Sequence, residues 1–212
     1  MGSMLAVDRR GEPRRILVVG LGGATLPTFL RRHYPDAAID IVEIDPEVVD
    51  VARKFFGFRE DERMRVHVAD GRRFIESPRD PYEVIFLDAF GARNVPAHLT
   101  TQEFLLAVRR AVAPSGVVVG NVWRRASNPL YDRMLRTYQE VFDELFILEV
   151  AGDVNAIFLA LPRRQALSGA ELAARAREVS TARRFPFDLG AVVEYGFLDA
   201  REKNPSARVL RD

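Results

Sequence analysis

Four short segments of this 212-residue chain carry side chains suited to chemistry, and each closes or follows an apolar run. Gly20-Leu21-Gly22-Gly23 follows Ile16–Val19, and Glu43, Ile44 and Asp45 close the run that starts at Ile39. Asp70-Gly71 follows Val66–Val68, and Asp88 follows Val84–Leu87. Glycines in a strand-to-helix turn let a ligand approach the backbone closely. The spacing is not that of a dinucleotide fingerprint, because Thr25 stands where the sixth-position glycine is required. No Gly-Lys-Ser/Thr follows, so a P-loop is excluded. A ligand without a pyrophosphate fits this turn better.

The acids extend that reading. Glu43 lies 23 residues after Gly20, where a carboxylate accepts hydrogen bonds from both hydroxyls of an adenosine ribose. A solvated strand-end acid is the plainer alternative. Asp45 precedes Pro46 and reads as a helix N-cap. Asp70 can accept from an adenine amino group and also cap the helix containing Phe74 and Ile75. Asp88 stands where a transferred group would meet its acceptor, and a carboxylate there can hold or deprotonate an attacking amine. A simple strand-end turn with Ala89 and Gly91 is the alternative. Asn121 and Trp123 follow the fifth apolar run and are candidates for the acceptor side, although Trp123 also reads as a packed core residue. His98 reads as an exposed loop histidine. The three histidines show no ligand spacing, so no metal is expected.

Alternating apolar runs and helical patterns must position these groups. Strands are expected at Ile16–Val19, Ile39–Glu43, Val66–Val68, Val84–Leu87 and Val117–Val122. Helices are expected at Leu26–His33 with Thr25 as N-cap, Pro46–Phe56 ended by Gly57, a short one near Arg72–Glu76, Thr101–Ala111 and Pro129–Phe142. "PSG" at 114–116 reads as a turn. This rhythm implies right-handed βαβ units and a mainly parallel sheet. After residue 144, "LFILEV" and "NAIFLA" are separated only by "AGDV", too short for a parallel return, so the sheet should end in an antiparallel hairpin. Ser168–Val179 reads as an amphipathic helix, and the Arg-rich last thirty residues have no placeable pattern. The expected division is an N-terminal extension over 1–14, a nucleoside-binding α/β domain over 15–161, and a helical extension over 162–212 packed on it. Met1-Gly2-Ser3-Met4 reads as a cloning remnant before a native Met4.

Bulk properties narrow the classes. Apolar residues make up 48% and charged residues 29%, ordinary for a globular domain. A net charge of +1 gives no support for nucleic-acid binding. With no cysteine, thiolate chemistry and disulfides are excluded. No apolar run reaches membrane-spanning length and no signal-peptide pattern opens the chain, so a cytoplasmic location without membrane association is expected.

Taken together, "ILVVGLGGATLP", "IDIVEIDPEVVDVARKFFGF", "RVHVADGRRFI", "YEVIFLDAF" and "NVPAHLTTQEFL" resemble the spermidine-synthase-like branch of class I S-adenosylmethionine-dependent methyltransferases. The resemblance covers about residues 14 to 160. "GLGGATLP", "VEIDPEVVDVARKFFGF" and "DERMRVHVADG" are also similar to the C-terminal domain of the methyltransferase that modifies the N-terminus of elongation factor 1-alpha. The resemblance implies a doubly wound α/β fold with a seven-stranded, mainly parallel sheet. It implies that Gly20, Leu21, Gly22, Gly23, Glu43, Ile44, Asp70, Gly71 and Asp88 bind S-adenosylmethionine or its decarboxylated form, that Asp88 is catalytic, and that the chain forms a homodimer. Asp88 matches the first acid of the branch's Asp-x-x-Asp motif, but Gly91 replaces the second. Spermidine synthases also carry an N-terminal β-hairpin domain, whereas strand one is expected here by Arg15. A polyamine needs matching carboxylates to be buried. Glu103 is a substitute in principle, but reads as a solvated acid at a helix start. The leading expectation is therefore methyl transfer to an amine or other nucleophile of a protein or small molecule. The alternatives are aminopropyl transfer in polyamine biosynthesis and a non-catalytic nucleoside-binding module.

Overall fold

A computed structural model describes residues 12–91, 95–150, 152, 154–200 and 202–212. Met1–Met4 and most of the expected N-terminal extension lie outside the described residues. Strand β1 (Arg15–Val19) leads into helix α1 (Thr25–His33), then β2 (Ala38–Glu43), α2 (Pro46–Phe55), β3 (Met64–Val68), α3 (Gly71–Glu76) and β4 (Tyr82–Leu87). A 3₁₀ turn at Ala97–Leu99 precedes α4 (Gln102–Ala111), β5 (Val112–Trp123), α5 (Tyr131–Val141), β6 (Glu144–Glu149) and β7 (Asn155–Leu161). The chain continues through α6 (Gly169–Ala182), α7 (Leu189–Gly196) and β8 (Phe197–Asp199).

These strands form one sheet in the order β3-β2-β1-β4-β5-β7-β6-β8. The first five in that order pair in parallel, and β7 runs antiparallel to both β5 and β6. The hairpin read from "LFILEV" and "NAIFLA" is therefore present, with β7 inserted beside β5. The sheet has eight strands, one more than the seven implied by the resemblance, because Phe197–Asp199 adds an antiparallel edge to β6. Three residues are too few to leave a period-two pattern in sequence.

Both faces of the sheet are covered, as its Val- and Ile-rich strands require. Ile16, Val18, Ile39 and Ile41 pack with Leu30 of α1, Ala52 of α2, Leu172 and Ala176 of α6 and Val193 of α7. On the other face Leu17, Ile85 and Val118 pack with Phe74 of α3, Phe104 and Val108 of α4 and Met134 of α5. The Val, Leu, Ile, Phe and Met side chains buried this completely contribute about 1.5–3 kcal/mol each. The chain after 162 thus joins the core of the same sheet.

Two local expectations are corrected. Thr25 does not cap α1; Ala24 does, in the left-handed region at φ 58, with no side-chain bond to the helix end. The tight return of the chain after Gly23 imposes that conformation and places Thr25 inside the helix. "PSG" is not a turn between elements. Tyr82 pairs with Val112 and Val84 with Val117, so residues 113–116 bulge out within β5 opposite Glu83. Gly116 is needed there because a Cβ would lie 2.6 Å from the Glu83 carbonyl oxygen.

Candidate functional site

The strand order reverses between β1 and β4, and ligands in open α/β sheets sit beyond the strand ends at that point. A cavity of about 660 Å³ opens there, within the range of small-molecule sites. All nine residues named for nucleoside binding line it: Gly20, Leu21, Gly22, Gly23, Glu43, Ile44, Asp70, Gly71 and Asp88. Thr25, Leu26, Phe90, Gly91, Pro96, His98, Asn121, Trp123 and Asn155 line it as well.

The glycine turn is shaped by close approach. Gly20 has φ +102, and a Cβ on it would lie 2.5 Å from the Asp88 carbonyl oxygen. Gly22, at φ +50, has open space where its Cβ would be. Gly71 lets α3 come down on β1, since a Cβ would meet Val19 Cγ1 at 2.6 Å. Glu43 ties the turn to β2. Its Oε2 accepts the Leu21 amide at 3.0 Å and its Oε1 accepts the Asp45 amide at 3.1 Å. A carboxylate offers about four lone-pair sites, so both oxygens retain capacity for a ligand's hydroxyls. Asp45 caps α2 by accepting the Glu47 amide at 2.8 Å, as read from its place before Pro46.

Asp70 caps α3 by accepting the Arg73 amide at 2.9 Å, and its Oδ2 meets His98 Nε2 at 3.1 Å. Partial burial opposes its charge, but the Arg73 amide and His98 outweigh it and hold the carboxyl below its ordinary range. Thus His98, read as an exposed loop residue, crosses from the 3₁₀ turn to the acid beside Gly71. That contact spans 28 residues and leaves no local signal.

The opposite half of the cavity is different. Burial pushes the Asp88 carboxyl up, offset in part by the Asn121 amide, which donates to Oδ1 at 2.8 Å. Asn121 Oδ1 and Asn155 Oδ1 are buried without a hydrogen-bond partner among the described residues. Trp123 stacks on Phe90, with ring centroids 5.9 Å apart and 20° between planes. Asn155 was not singled out in the sequence. It reaches the site because β7 pairs antiparallel with β5 and sets it opposite Trp123. Glu103 lies outside the cavity, where it accepts the Asp212 amide at 3.1 Å. Among the described residues no group of three or more His, Asp or Glu could hold a metal ion. No helix there is long and apolar enough to cross a membrane.

Comparison with known proteins places this geometry in context. The family model for the spermine/spermidine synthase domain matches residues 3–145. A polyamine aminopropyltransferase of Vibrio vulnificus is 37% identical over 164 residues, covering 74% of this chain and 54% of the relative. The human eEF1A lysine and N-terminal methyltransferase is 37% identical over 187 residues, covering 82% of this chain and 27% of the relative. The chain therefore spans about half the length of the first and about a quarter of the second. Human methyltransferase-like protein 13, solved in complex with SAH (S-adenosylhomocysteine), superposes with a TM-score of 0.74 at 33% identity, covering 88% of each chain.

Proposed function

This chain belongs to the spermine/spermidine synthase domain family, and from that premise we propose that it is a methyltransferase using S-adenosylmethionine on an amine acceptor. The observation that carries this reading is the acceptor half of the cavity. Among the described residues it offers one carboxylate, Asp88, flanked by Asn121, Asn155 and the Phe90–Trp123 stack, with Gly91 where a second acid would grip a polycation. A multiply charged polyamine would be poorly compensated there.

The donor half suits an adenosyl ligand. Glu43 keeps free lone pairs for ribose hydroxyls, Asp70 lines the cavity as an acceptor suited to an adenine amino group, and the space over Gly22 is open for the ligand's tail. Helix α1 begins beside the cavity with no side-chain cap, unlike α2, α3 and α4, and with no acid in its first turn, unlike α2 and α4. That positive helix end favours a donor that retains its carboxylate. When bound, the sulfonium supplies an activated methyl group for in-line displacement, a reaction that depends mainly on orientation.

The chain's own residues prepare the acceptor. Asn121 fixes one oxygen of Asp88 and leaves the other to take a proton or hydrogen bond from an incoming ammonium. The raised affinity of Asp88 for a proton suits that step. Loss of the proton frees the nitrogen lone pair for attack. The two orphaned asparagine oxygens accept the remaining N–H groups, which removes the cost of leaving them unpaired. The Phe90–Trp123 stack supplies an apolar wall on the acceptor side.

Aminopropyl transfer is the second reading, favoured by the identity to the Vibrio aminopropyltransferase. Incubation with methyl-labelled S-adenosylmethionine and a peptide bearing free amines, read by mass spectrometry, tests the proposal. A mass gain of one labelled methyl group in exchange for each hydrogen replaced is expected. No methylation, with spermidine formed from putrescine and the decarboxylated donor, would reverse the order of the two readings.

A further inference from the structure

Residues Leu210–Asp212 fall in the stretch that gave no sequence pattern, yet they are fixed at several points. The Leu210 side chain is buried in the core with α4 and α5. Its amide donates to Thr137 Oγ1 at 3.0 Å, and its carbonyl accepts the Gln102 amide at the start of α4 at 2.8 Å. This seats Asp212 against Arg72. Arg72 Nη1 donates to Asp212 Oδ1 at 2.7 Å and Nη2 to Oδ2 at 2.5 Å, while Thr101 Oγ1 donates to Oδ1 at 2.8 Å.

Arg72 follows Asp70 and Gly71 of the cavity wall but does not line the cavity itself. Its Nη1 also donates to the His98 carbonyl at 3.3 Å. The His98 ring in turn meets Asp70. The turn carrying Pro96, His98 and Leu99, all three of which line the cavity, is thus held by its ring to one wall residue and by its backbone to Arg72.

We propose that Asp212 is a positioning residue, which through Arg72 latches the Pro96–Leu99 turn over the nucleoside end of the cavity. The inference rests on the nucleoside reading of that cavity. An isolated surface ion pair would contribute little. Here the pair is a two-bond fork with a third donor, and Leu210 fixes the aspartate beforehand, so less side-chain freedom is lost in forming it. The latch raises the fraction of molecules with the turn closed, and a ligand that needs the closed turn binds in proportion to that fraction.

Titrating SAH into the wild type, Asp212→Ala, Arg72→Gln and the double variant tests the latch, with melting temperature and hydrogen exchange measured alongside. Asp212→Ala and Arg72→Gln are each expected to weaken SAH binding roughly tenfold, the double variant no further than either. Asp212→Glu, which keeps the carboxylate, should recover part of the loss. The Leu99 and Thr100 amides, which close the turn onto Pro96 and Ala97, should exchange faster in the variants. A lower melting temperature with unchanged SAH affinity would show that the contact is only structural and overturn the proposal, as would additive losses in the double variant. If Asp212→Ala does not fold, Asp212→Asn, which keeps an oxygen for Thr101, carries the same test. Failure of the wild type to bind SAH would instead refute the nucleoside reading.

Discussion

Replacing Glu43 with alanine removes the group that shapes the glycine turn and that, in the proposed reading, accepts the ribose hydroxyls. In the free protein its carboxylate takes the Leu21 amide at 3.0 Å and the Asp45 amide at 3.1 Å. Charge-assisted bonds of this kind contribute about 1.5–3 kcal/mol each when shielded. Asp45 is exposed and Glu43 half-buried, so water replaces part of the loss, and about 2 kcal/mol of destabilisation is expected in total. For a chain of this length that lowers the melting temperature by about 4–8 °C. Ligand binding should suffer more. Loss of two ribose bonds at about 1.5 kcal/mol each weakens SAH by roughly 100-fold. Glu43→Gln keeps one acceptor oxygen but turns an NH₂ toward the second backbone amide, so an intermediate loss of about tenfold is expected. Calorimetric titration with SAH and a thermal melt on the same samples give both numbers. A lowered melting temperature with SAH affinity within about threefold of wild type would mean that Glu43 holds the turn and does not touch the ligand.

Asp88→Asn should abolish most turnover, by about 100-fold or more, while leaving SAH affinity near wild type; an equal loss of both would place Asp88 in donor binding. Because burial raises the folded pKa of Asp88, its ionisation opposes folding: wild type should lose stability as pH rises from the unfolded value toward the folded one, and Asp88→Asn should not. Asp212 has the opposite sign. Its carboxyl is held down to about 2 by Arg72 and Thr101, so its contribution is present above the unfolded value near ~3.9 and is lost as pH falls toward 2; acid titration of Asp212→Asn should show a flatter acid limb. Gly20→Ala meets both a φ of +102 and the Asp88 carbonyl, and is expected to lower expression of folded protein; Gly22→Ala has open space, and should fold with about 1–2 kcal/mol of strain but bind SAH more weakly. Circular dichroism and titration distinguish the two glycines.

Much of the fold was legible because its signals are local. The βαβ rhythm, the Asp45-Pro46 cap and the short "AGDV" link each follow from a few adjacent residues, and the topology then brought Gly20, Glu43, Asp70 and Asp88 to one cavity. What sequence left out is non-local. Asn155 enters the site through pairing of β7 with β5, His98 through a contact with Asp70, and Asp212 through a fork onto Arg72 across 140 residues. The two local misreadings have the same origin. Ala24 adopts a left-handed cap because the turn before it is constrained by Glu43 and β4, and "PSG" is absorbed into β5 because Tyr82 and Val84 continue to pair around it.

The choice of donor tests the proposed activity most directly. S-adenosylmethionine and its decarboxylated form differ only in the carboxylate that the uncapped start of α1 would favour. Side-by-side calorimetric titration should show S-adenosylmethionine binding about tenfold or more tightly, the equivalent of about 1.4 kcal/mol. Tighter binding of the decarboxylated donor, accompanied by turnover of putrescine, would contradict the methyltransferase account.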